Sequence, residues 1–344
     1  MKKVLQKIAA FFVGLIIAFA ILEIFLRIYN PFPARVRGDK IELKSNFKRT
    51  KVIDPPVAGL DAEVTYSLNS IGLRGEEPRD EAEKQFSIIT VGGSTTDCSL
   101  LSDDKTWPQQ LYKRLKENYG DKVWLNNAGI DGASTYGHQI LLDDYLVDLK
   151  PDMILFLTGI NDHGRANFDN ETAILQDRDE SFLKKLARKS EVLMLISNLI
   201  RRAKAKKVGI GHSVENTLHT EIYPNEAERL KKDEKYLPVY KQRLEGLVKT
   251  CKKNGIEPVL MTQSLLADTS ASFWKVIDLY NDVNRQVASE NGLFLVDLGA
   301  DLPIRMDYYY DRMHYTNAGA DAVGDLIFGK LKAYLDVNKP KKLY

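Results

Sequence analysis

The sequence predicts an α/β protein in which helices cover both faces of a parallel β-sheet, preceded by one N-terminal transmembrane helix. Two observations support this prediction. From residue 86 onward, short and uniformly apolar runs alternate with amphipathic stretches of helical spacing, a pattern typical of strands buried on both faces of a parallel sheet. The first thirty residues form instead one apolar segment that is long enough to cross a bilayer.

The predicted elements alternate along the chain between strand and helix. The five predicted strands are "FSIITV" (86–91), "VWLNN" (123–127), "MILFLT" (153–158), "EPVLMT" (257–262) and "LFLVDL" (293–298). The predicted helices lie near 107–118, 135–149, 240–253, 273–291 and 317–335. The stretch between the third and fourth strands is too long for a simple crossover. We therefore expect an insertion at about 164–240, packed on the flank of the sheet, with a lid or a membrane-surface helix as the alternatives.

The N-terminal segment has a basic start and an uncharged apolar run from Ile8 to Leu22, which continues after Glu23. A spanning helix needs about 20 mostly apolar residues, so Glu23 is expected near an interface. The triplet "AFA" at 18–20 could be a cleavage site, but the chain stays apolar beyond it, which favours an uncleaved anchor over a signal peptide. A soluble core helix is less compatible with a segment that is apolar on almost every face.

The remaining boundaries follow from composition. Residues 1–30 form the membrane anchor or signal segment, and residues 31–85, with five prolines and many charges, are expected to be a linker and entry segment leading into the domain. The domain is predicted over 86–335 and a basic tail over 336–344. Basic residues flank the apolar segment on both sides, so charge does not decide its orientation. Since long domains translocate largely regardless of charge, we expect the N-terminus in the cytoplasm and the domain outside.

Composition excludes several classes of function. The formal net charge is +2, the basic residues are spread along the 344-residue chain, and no nucleic-acid-binding motif is present. Cys98 and Cys251 have neither metal-ligand spacing nor a disulfide framework, so both are expected to be buried thiols. The glycine-rich "GGSTT" lacks the lysine of a phosphate-binding loop. No metal and no cofactor is therefore predicted.

Polar residues follow the predicted strands at their carboxyl ends, where functional groups collect in open parallel sheets. Ser94 follows the first strand, Gly132 lies beyond the second and Asn161 beyond the third. Beyond the fifth strand, Asp311 and His314 stand three residues apart. These positions are expected to converge on one edge of the sheet.

The residue types at these positions fit nucleophilic catalysis. A neutral imidazole can take the proton of a serine hydroxyl, which makes His314 the candidate base for Ser94. A carboxylate three residues earlier, Asp311, can accept the other ring N–H and stabilise the imidazolium. An oxyanion hole could be formed by the backbone N–H groups of Ser94 and Gly132 and the side chain of Asn161.

Each residue alone has an ordinary structural explanation. Ser94 could be a helix N-cap, and Asn161 could be a turn-former. Asp311 and His314 could be a surface pair or half of a metal site. Taken together, their order at the ends of successive strands favours the catalytic interpretation.

In these residues the sequence resembles the SGNH, or GDSL-type, esterase/lipase superfamily. The four sequence blocks of that family correspond in order to Ser94 in "VGGSTT", Gly132 in "NAGIDGAST", Asn161 in "GIND" and the pair Asp311 and His314, over roughly 86–335. The resemblance implies a three-layer α/β/α sandwich with a five-stranded parallel, flavodoxin-like sheet. "LNSIGLRGEEP" (68–78) and the apolar N-terminus resemble membrane-attached bacterial members, which implies a place in the bacterial cell envelope.

The sequence departs from the family pattern in two places. Gly93 replaces the aspartate of the usual "GDS", and no glycine follows at the usual later position. The insertion after "GINDHG" has no counterpart in minimal members. We expect the identity of the nucleophile to survive the first departure, whereas nothing about substrate can be carried over through the second.

The resemblance implies a serine esterase that cleaves carboxylic esters through an acyl-enzyme on Ser94, with O-acylated glycans or lipids as candidate substrates. Members of the family can also pass the acyl group to a sugar hydroxyl with the same triad, so an O-acyltransferase remains open. A membrane-tethered binding module without turnover is a third hypothesis, and the presence of all three triad residues argues against it. The expected partners are an ester substrate and the membrane.

Overall fold

The structure is a computed structural model that describes residues 2–29, 34–37, 40–78, 84–163, 190–193, 195–196, 230–231, 233–266 and 272–344. The helices are α1 (Lys2–Ile28), α2 (Ser94–Asp97), α3 (Trp107–Tyr119), α4 (Thr135–Leu141), α5 (Leu237–Lys253), α6 (Ser272–Asn291), α7 (Leu298–Asp301) and α8 (Asn317–Asn338). The strands are β1 (Ala34–Arg37), β2 (Lys40–Leu43), β3 (Phe47–Val52), β4 (Glu63–Leu68), β5 (Arg74–Gly75), β6 (Phe86–Gly92), β7 (Val123–Asn127), β8 (Met153–Leu157), β9 (Glu257–Met261) and β10 (Leu295–Val296).

The main sheet of the described chain contains six strands in the order β10-β9-β8-β6-β7-β5. The five strands that the apolar runs predicted are mutually parallel, whereas β5 pairs antiparallel with β7. The sheet is therefore mostly parallel, and the expectation of five strands omitted β5. With only two residues, β5 has no apolar alternation from which a strand could be predicted.

Helices cover both faces of this sheet because successive strand residues point in opposite directions. Along β6, Ile88 is buried with side chains of α3 and α8, whereas Ile89 is buried with side chains of α4, α5 and α6. Both residues are fully buried. In the part of the chain that the structure describes, one large apolar core thus lies on each face of the sheet. The loops that leave the carboxyl ends of the parallel strands lie at one edge of that sheet.

The segment 31–85, predicted as a linker, contains regular structure over its described part. β1 pairs with β2, and β3 pairs with β4, in two antiparallel ladders. Ile53 and Val64 are buried together with Leu100 of the domain. This segment therefore packs on the domain beside the turn that follows α2.

The helix α1 is long and apolar enough to cross a membrane, with a mean hydropathy of 2.7 over 18 residues, none of which is buried. It is therefore not a core helix of the described domain, whereas a membrane anchor and a signal sequence both fit. Glu23 accepts hydrogen bonds from the Ser190 hydroxyl and from the backbone N–H groups of Glu191 and Val192. Near its end, α1 thus contacts the short described piece of the predicted insertion.

Most of the predicted insertion at 164–240 lies outside the described residues. The predicted tail, 336–344, begins inside α8, which ends at Asn338. Beyond that helix, Leu343 is buried and the Lys342 ammonium lies 2.8 Å from a carboxylate oxygen of Asp152. The C-terminal residues therefore pack on the domain.

Candidate active site

The first residue of the site, Ser94, lies where β6 gives way to the four-residue helix α2. Gly93 occupies the N-cap position and makes no side-chain cap, and Ser94 is the first helical residue. The Ser94 Oγ lies 2.8 Å from Nε2 of His314. Ser94 is therefore not a helix N-cap, and its hydroxyl is hydrogen-bonded to the candidate base.

The loop between α7 and α8 places Asp311 against His314. The Asp311 Oδ2 lies 2.6 Å from His314 Nδ1, while Oδ1 accepts the backbone N–H groups of Met313 (2.9 Å) and His314 (2.8 Å). Burial by itself raises the pKa of Asp311, but these hydrogen bonds and the imidazole outweigh it, so the pKa lies below its usual range. The carboxylate is thus charged near neutral pH and directed at the Nδ1 side of the ring.

The imidazole of His314 stacks on an aromatic ring, and backbone hydrogen bonds hold the loop that carries it. The Tyr310 ring stacks on that of His314 with 5.5 Å between centroids and 9° between planes. The Tyr310 N–H donates to the His314 carbonyl (3.0 Å), and Tyr309 pairs with Tyr315 in an isolated antiparallel bridge. This small ladder fixes the direction of the imidazole.

The candidate oxyanion donors lie on two neighbouring loops. The Asn161 Nδ2 donates to the Ala133 carbonyl at 3.0 Å, and a β-carbon on Gly93 would lie 2.3 Å from the same Nδ2. The Asn161 amide therefore lies against the residues adjacent to Gly132 and Ser94. Gly132 has φ +73°, a left-handed conformation that glycine adopts without steric cost.

Two other ionisable residues, Asp162 and His138, have contacts that indicate a structural role. Asp162 is buried and accepts hydrogen bonds from the Thr135 backbone N–H and hydroxyl, with the Arg243 guanidinium 3.8 Å away. Burial lowers the pKa of His138, on α4, to about 4, against an opposing effect of the Gly92 backbone. His138 is therefore neutral at physiological pH.

The sequence did not predict which side chains support the turn after Ser94. Asn127, the last residue of β7, donates from Nδ2 to the Thr96 carbonyl at 2.7 Å. Arg74, from the segment predicted as a linker, donates to three backbone carbonyls of the same turn. The doublet "NN" at the end of a predicted strand was a signal for Asn127, whereas no local pattern indicated Arg74.

Within the residues that the structure describes, no group of three or more histidine, cysteine, aspartate or glutamate side chains is placed to hold a metal ion. Cys98 and Cys251 are both buried and unpaired with each other. Burial raises the pKa of each thiol to about 12, so both are uncharged near neutral pH.

Serine hydrolases characteristically contain a serine, a histidine and a carboxylate that are joined in series by hydrogen bonds. Here this series lies at the carboxyl edge of a parallel sheet. The GDSL-like Lipase/Acylhydrolase family matches residues 89–322, which is more than half of the chain, and the chain belongs to this family. The protein is accordingly an ester-cleaving hydrolase.

Solved structures of esterases are similar to this chain at low identity. The esterase EstA from Pseudoalteromonas sp. has 14% identity and a TM-score of 0.46, with 73% of this chain and 100% of that one covered. A catalytic mutant of the acetylxylan esterase Axe2 from Geobacillus stearothermophilus has 16% identity and a TM-score of 0.45, with 71% and 93% covered. Among curated proteins, none matches the chain significantly.

Proposed function

We propose that the protein is a serine esterase in which Ser94 is the nucleophile, His314 the general base and Asp311 the residue that orients the imidazole. The observation that carries this proposal is the continuous hydrogen-bonded series from Ser94 Oγ through the ring of His314 to Asp311, with contacts of 2.8 Å and 2.6 Å. Both distances lie within the reach of proton transfer.

In the acylation step, Oγ of Ser94 attacks the ester carbonyl carbon while its proton moves to Nε2 of His314. The tetrahedral intermediate collapses when His314 returns that proton to the leaving alcohol oxygen, leaving the acyl group on Ser94. Water then attacks the acyl-enzyme while His314 takes one of its protons. His314 returns this proton to Oγ of Ser94 as the carboxylic acid is released, which regenerates the free enzyme. Asp311 stays ionised throughout and stabilises the imidazolium formed in each half-reaction.

The negative charge on the carbonyl oxygen needs donors that are already in place. We assign this role to the backbone N–H groups of Ser94 and Gly132 and to the Asn161 side chain. One N–H of the Asn161 amide is used by the Ala133 carbonyl, which fixes the direction of the second. Since the amide nitrogen carries two hydrogens, the second N–H stays free to donate to the substrate oxygen.

A small cavity adjoins the nucleophile. Among the described residues, Leu101, Tyr310 and Tyr315 belong to its wall beside Ser94 and His314. We propose O-acylated glycans or lipids as the substrates, and a graded series of esters measures the preferred acyl length.

Covalent labelling tests the assignment of Ser94. A serine-directed organophosphorus reagent should label the wild-type chain once, on Ser94, and should leave Ser94→Ala unlabelled. Ester hydrolysis should fall by about 10⁴ or more in Ser94→Ala, because the triad acts as a unit. Full labelling or full activity of the alanine variant would remove the assignment.

A product analysis separates hydrolysis from acyl transfer by the same triad. The enzyme would be incubated with a graded series of p-nitrophenyl esters, with and without glycan acceptors, while free acid and acylated glycan are both measured. An esterase releases free acid at the same rate with and without the acceptor. Formation of acylated glycan at the expense of free acid would favour a transferase.

We further propose that α1 anchors the domain to the bacterial cell membrane with the domain on the outer side. The apolar exposed surface of α1 supports membrane insertion. Protease added to intact cells should digest the domain, whereas protection until lysis would reverse this orientation. Retention of residues 1–30 in the membrane-bound protein, read by N-terminal sequencing, distinguishes the anchor from a cleaved signal peptide.

A further inference from the structure

Arg74 is a buried arginine from the strand β5, outside the residues 89–322 that match the family. The residue is 4% exposed, and its guanidinium carbon lies 4.5 Å from the centroid of the Tyr66 ring. A buried guanidinium is stable only when its N–H groups are hydrogen-bonded. The partners of this group therefore indicate what it does.

Three of its hydrogen bonds reach backbone carbonyls in the turn that follows α2. Nη1 donates to Asp97 (2.6 Å) and Cys98 (3.0 Å), and Nη2 donates to Leu101 (2.5 Å). The fourth bond runs from Nε to a carboxylate oxygen of Asp103 at 2.7 Å. One planar group thus spans the whole turn from the last residue of α2 to Leu101.

The turn needs this support because α2 has only four residues, of which Ser94 is the first. The last carbonyls of any helix lack partners within the helix, and a buried carbonyl without a partner costs about 1–3 kcal/mol. Cys98 ends α2 with φ +51°, a left-handed conformation that is unfavourable for a residue with a β-carbon. A cation at this end also complements the helix dipole.

Two further contacts hold the residues that directly follow Ser94. The Tyr66 hydroxyl donates to Asp97 Oδ1 at 2.9 Å, and Asn127 donates to the Thr96 carbonyl at 2.7 Å. The conformation of the residues directly after Ser94 is therefore fixed by side chains outside the turn, two of which come from the segment predicted as a linker.

We propose that Arg74 is a positioning residue that sets the Oγ of Ser94 against Nε2 of His314, and that residues 47–78 are part of the catalytic domain. This inference rests on the proposed serine esterase function. Arg74 does not touch the substrate; it acts through the turn after the nucleophile. Misplacement of a reacting atom by about 1 Å can cost about 100-fold in rate.

The test compares Arg74→Lys with wild type in the full-length chain in detergent. Lysine keeps the charge but cannot reach three carbonyls in one plane. We expect kcat on a p-nitrophenyl ester to fall by about 10–100-fold with KM changed less than twofold. The rate constant for organophosphorus labelling of Ser94 should fall by the same factor. This rate constant is normalised to the number of sites that are labelled when the reaction is complete, so that unfolded protein does not lower it.

The matched control is Arg285→Lys. The guanidinium of Arg285 forms hydrogen bonds to Asp278, Asp282 and Asp297, on α6 and at the end of β10. Loss of these bonds should lower thermal stability and leave the labelling rate per labelled site unchanged. An Arg74→Lys enzyme that behaves in the same way, with lower stability but a normal labelling rate, would overturn the proposal.

A second variant covers the case in which Arg74→Lys does not fold. Tyr66→Phe removes only the hydroxyl that reaches Asp97, and we expect the labelling rate to fall by about 3–10-fold. An unchanged rate would overturn the proposal.

Ser94→Ala separates the role of Arg74 from the proposed serine esterase function. If that variant keeps its activity, the serine esterase function fails, whereas an inactive Ser94→Ala with normal Tyr66→Phe and Arg74→Lys rates contradicts only the role of Arg74.

Discussion

A β-carbon on Gly93 would lie 2.3 Å from the side-chain nitrogen of Asn161. The position that carries aspartate in the usual "GDS" sequence of the family is therefore occupied here by the residue that leaves space for the Asn161 amide. That amide is tied to the Ala133 carbonyl, so it cannot withdraw without losing a hydrogen bond. In this chain the glycine and the asparagine are sterically matched.

We predict that Gly93→Ala, and more strongly Gly93→Asp, lowers esterase activity although aspartate is the usual residue of the family. The new side chain displaces the Asn161 amide, and loss of one oxyanion donor costs about 10²–10³ in kcat. Initial rates at saturating ester measure the effect. Gly137→Ala is the control, because its β-carbon would meet Ala133 Cβ at an ordinary 3.5 Å; equal activity of Gly93→Asp and wild type would contradict the steric match.

The same donor can be removed without adding atoms. Asn161→Ala should lower kcat by about 10²–10³ with a smaller effect on KM, since the bond to the oxygen strengthens as negative charge develops. Full Michaelis curves for both enzymes give the two constants. If kcat is unchanged, the Asn161 side chain serves only to bind the Ala133 carbonyl of the neighbouring loop.

The fold was predictable where the sequence pattern is local. β7 was predicted at its observed bounds from one short run of the sequence, and the structure buries all five of its residues. The last strand was predicted over 293–298 but pairs only at Leu295 and Val296, since it lies at the edge and α7 begins at Leu298. β5 was missed because two residues carry no periodicity.

The same distinction applies to the site. Residues in short local motifs were predicted, whereas a residue that acts through contacts distant in the chain was not. Ser94 and His314 were selected by short motifs at strand ends, and the structure places their side chains 2.8 Å apart. Arg74 lies 23 residues or more before the carbonyls that it binds. Its contacts depend on the pairing of β5 with β7, and β5 lies in the segment for which composition predicted a linker.

Gly132 provides a prediction about backbone conformation. Its φ of +73° is unfavourable for alanine by about 1–2 kcal/mol, although a β-carbon there would meet no atom within 4 Å. Relief of this strain rotates the peptide whose N–H we assign to the oxyanion hole, so Gly132→Ala should lower kcat by at least about tenfold. Gly255→Ala is a matched control, with φ +71° and open space before β9, at the opposite edge of the sheet. The two variants should lose similar stability, and similar kcat values would show that Gly132 supplies no donor.

The buried imidazole of His138 makes a prediction about acid stability. Its pKa of about 4 in the folded protein lies below the ~6.5 of an unfolded histidine. The unfolded state therefore gains a proton first as the pH falls, and the stabilisation present above pH ~6.5 is progressively lost down to pH ~4. Between pH 7 and pH 5 the loss is about 2 kcal/mol. Thermal unfolding of wild type and His138→Gln at both pH values measures it, and the expected result is a smaller decrease in the variant; parallel decreases would contradict it.

Asp311 is the subject of the last prediction, which concerns the charge beside the imidazole. Its pKa is lowered in the folded protein, because hydrogen bonds from His314 and the backbone outweigh the effect of burial. The carboxylate is therefore charged near neutral pH and can stabilise the imidazolium that forms when His314 accepts the proton of Ser94.

Asp311→Asn removes this negative charge, so kcat/KM at neutral pH should fall by about 10³–10⁴. The rate falls because an amide can hold the wrong tautomer and cannot balance the positive charge of the transition state. The carboxylate also stabilises the fold above the pKa of an unfolded aspartate, and this contribution disappears as the pH falls through the lowered folded pKa. Initial rates and thermal unfolding of both enzymes measure the two effects. A variant with the kcat/KM of wild type would show that Asp311 does not act on His314, and Asp162, whose carboxylate is bonded to Thr135, would be the next carboxylate to test.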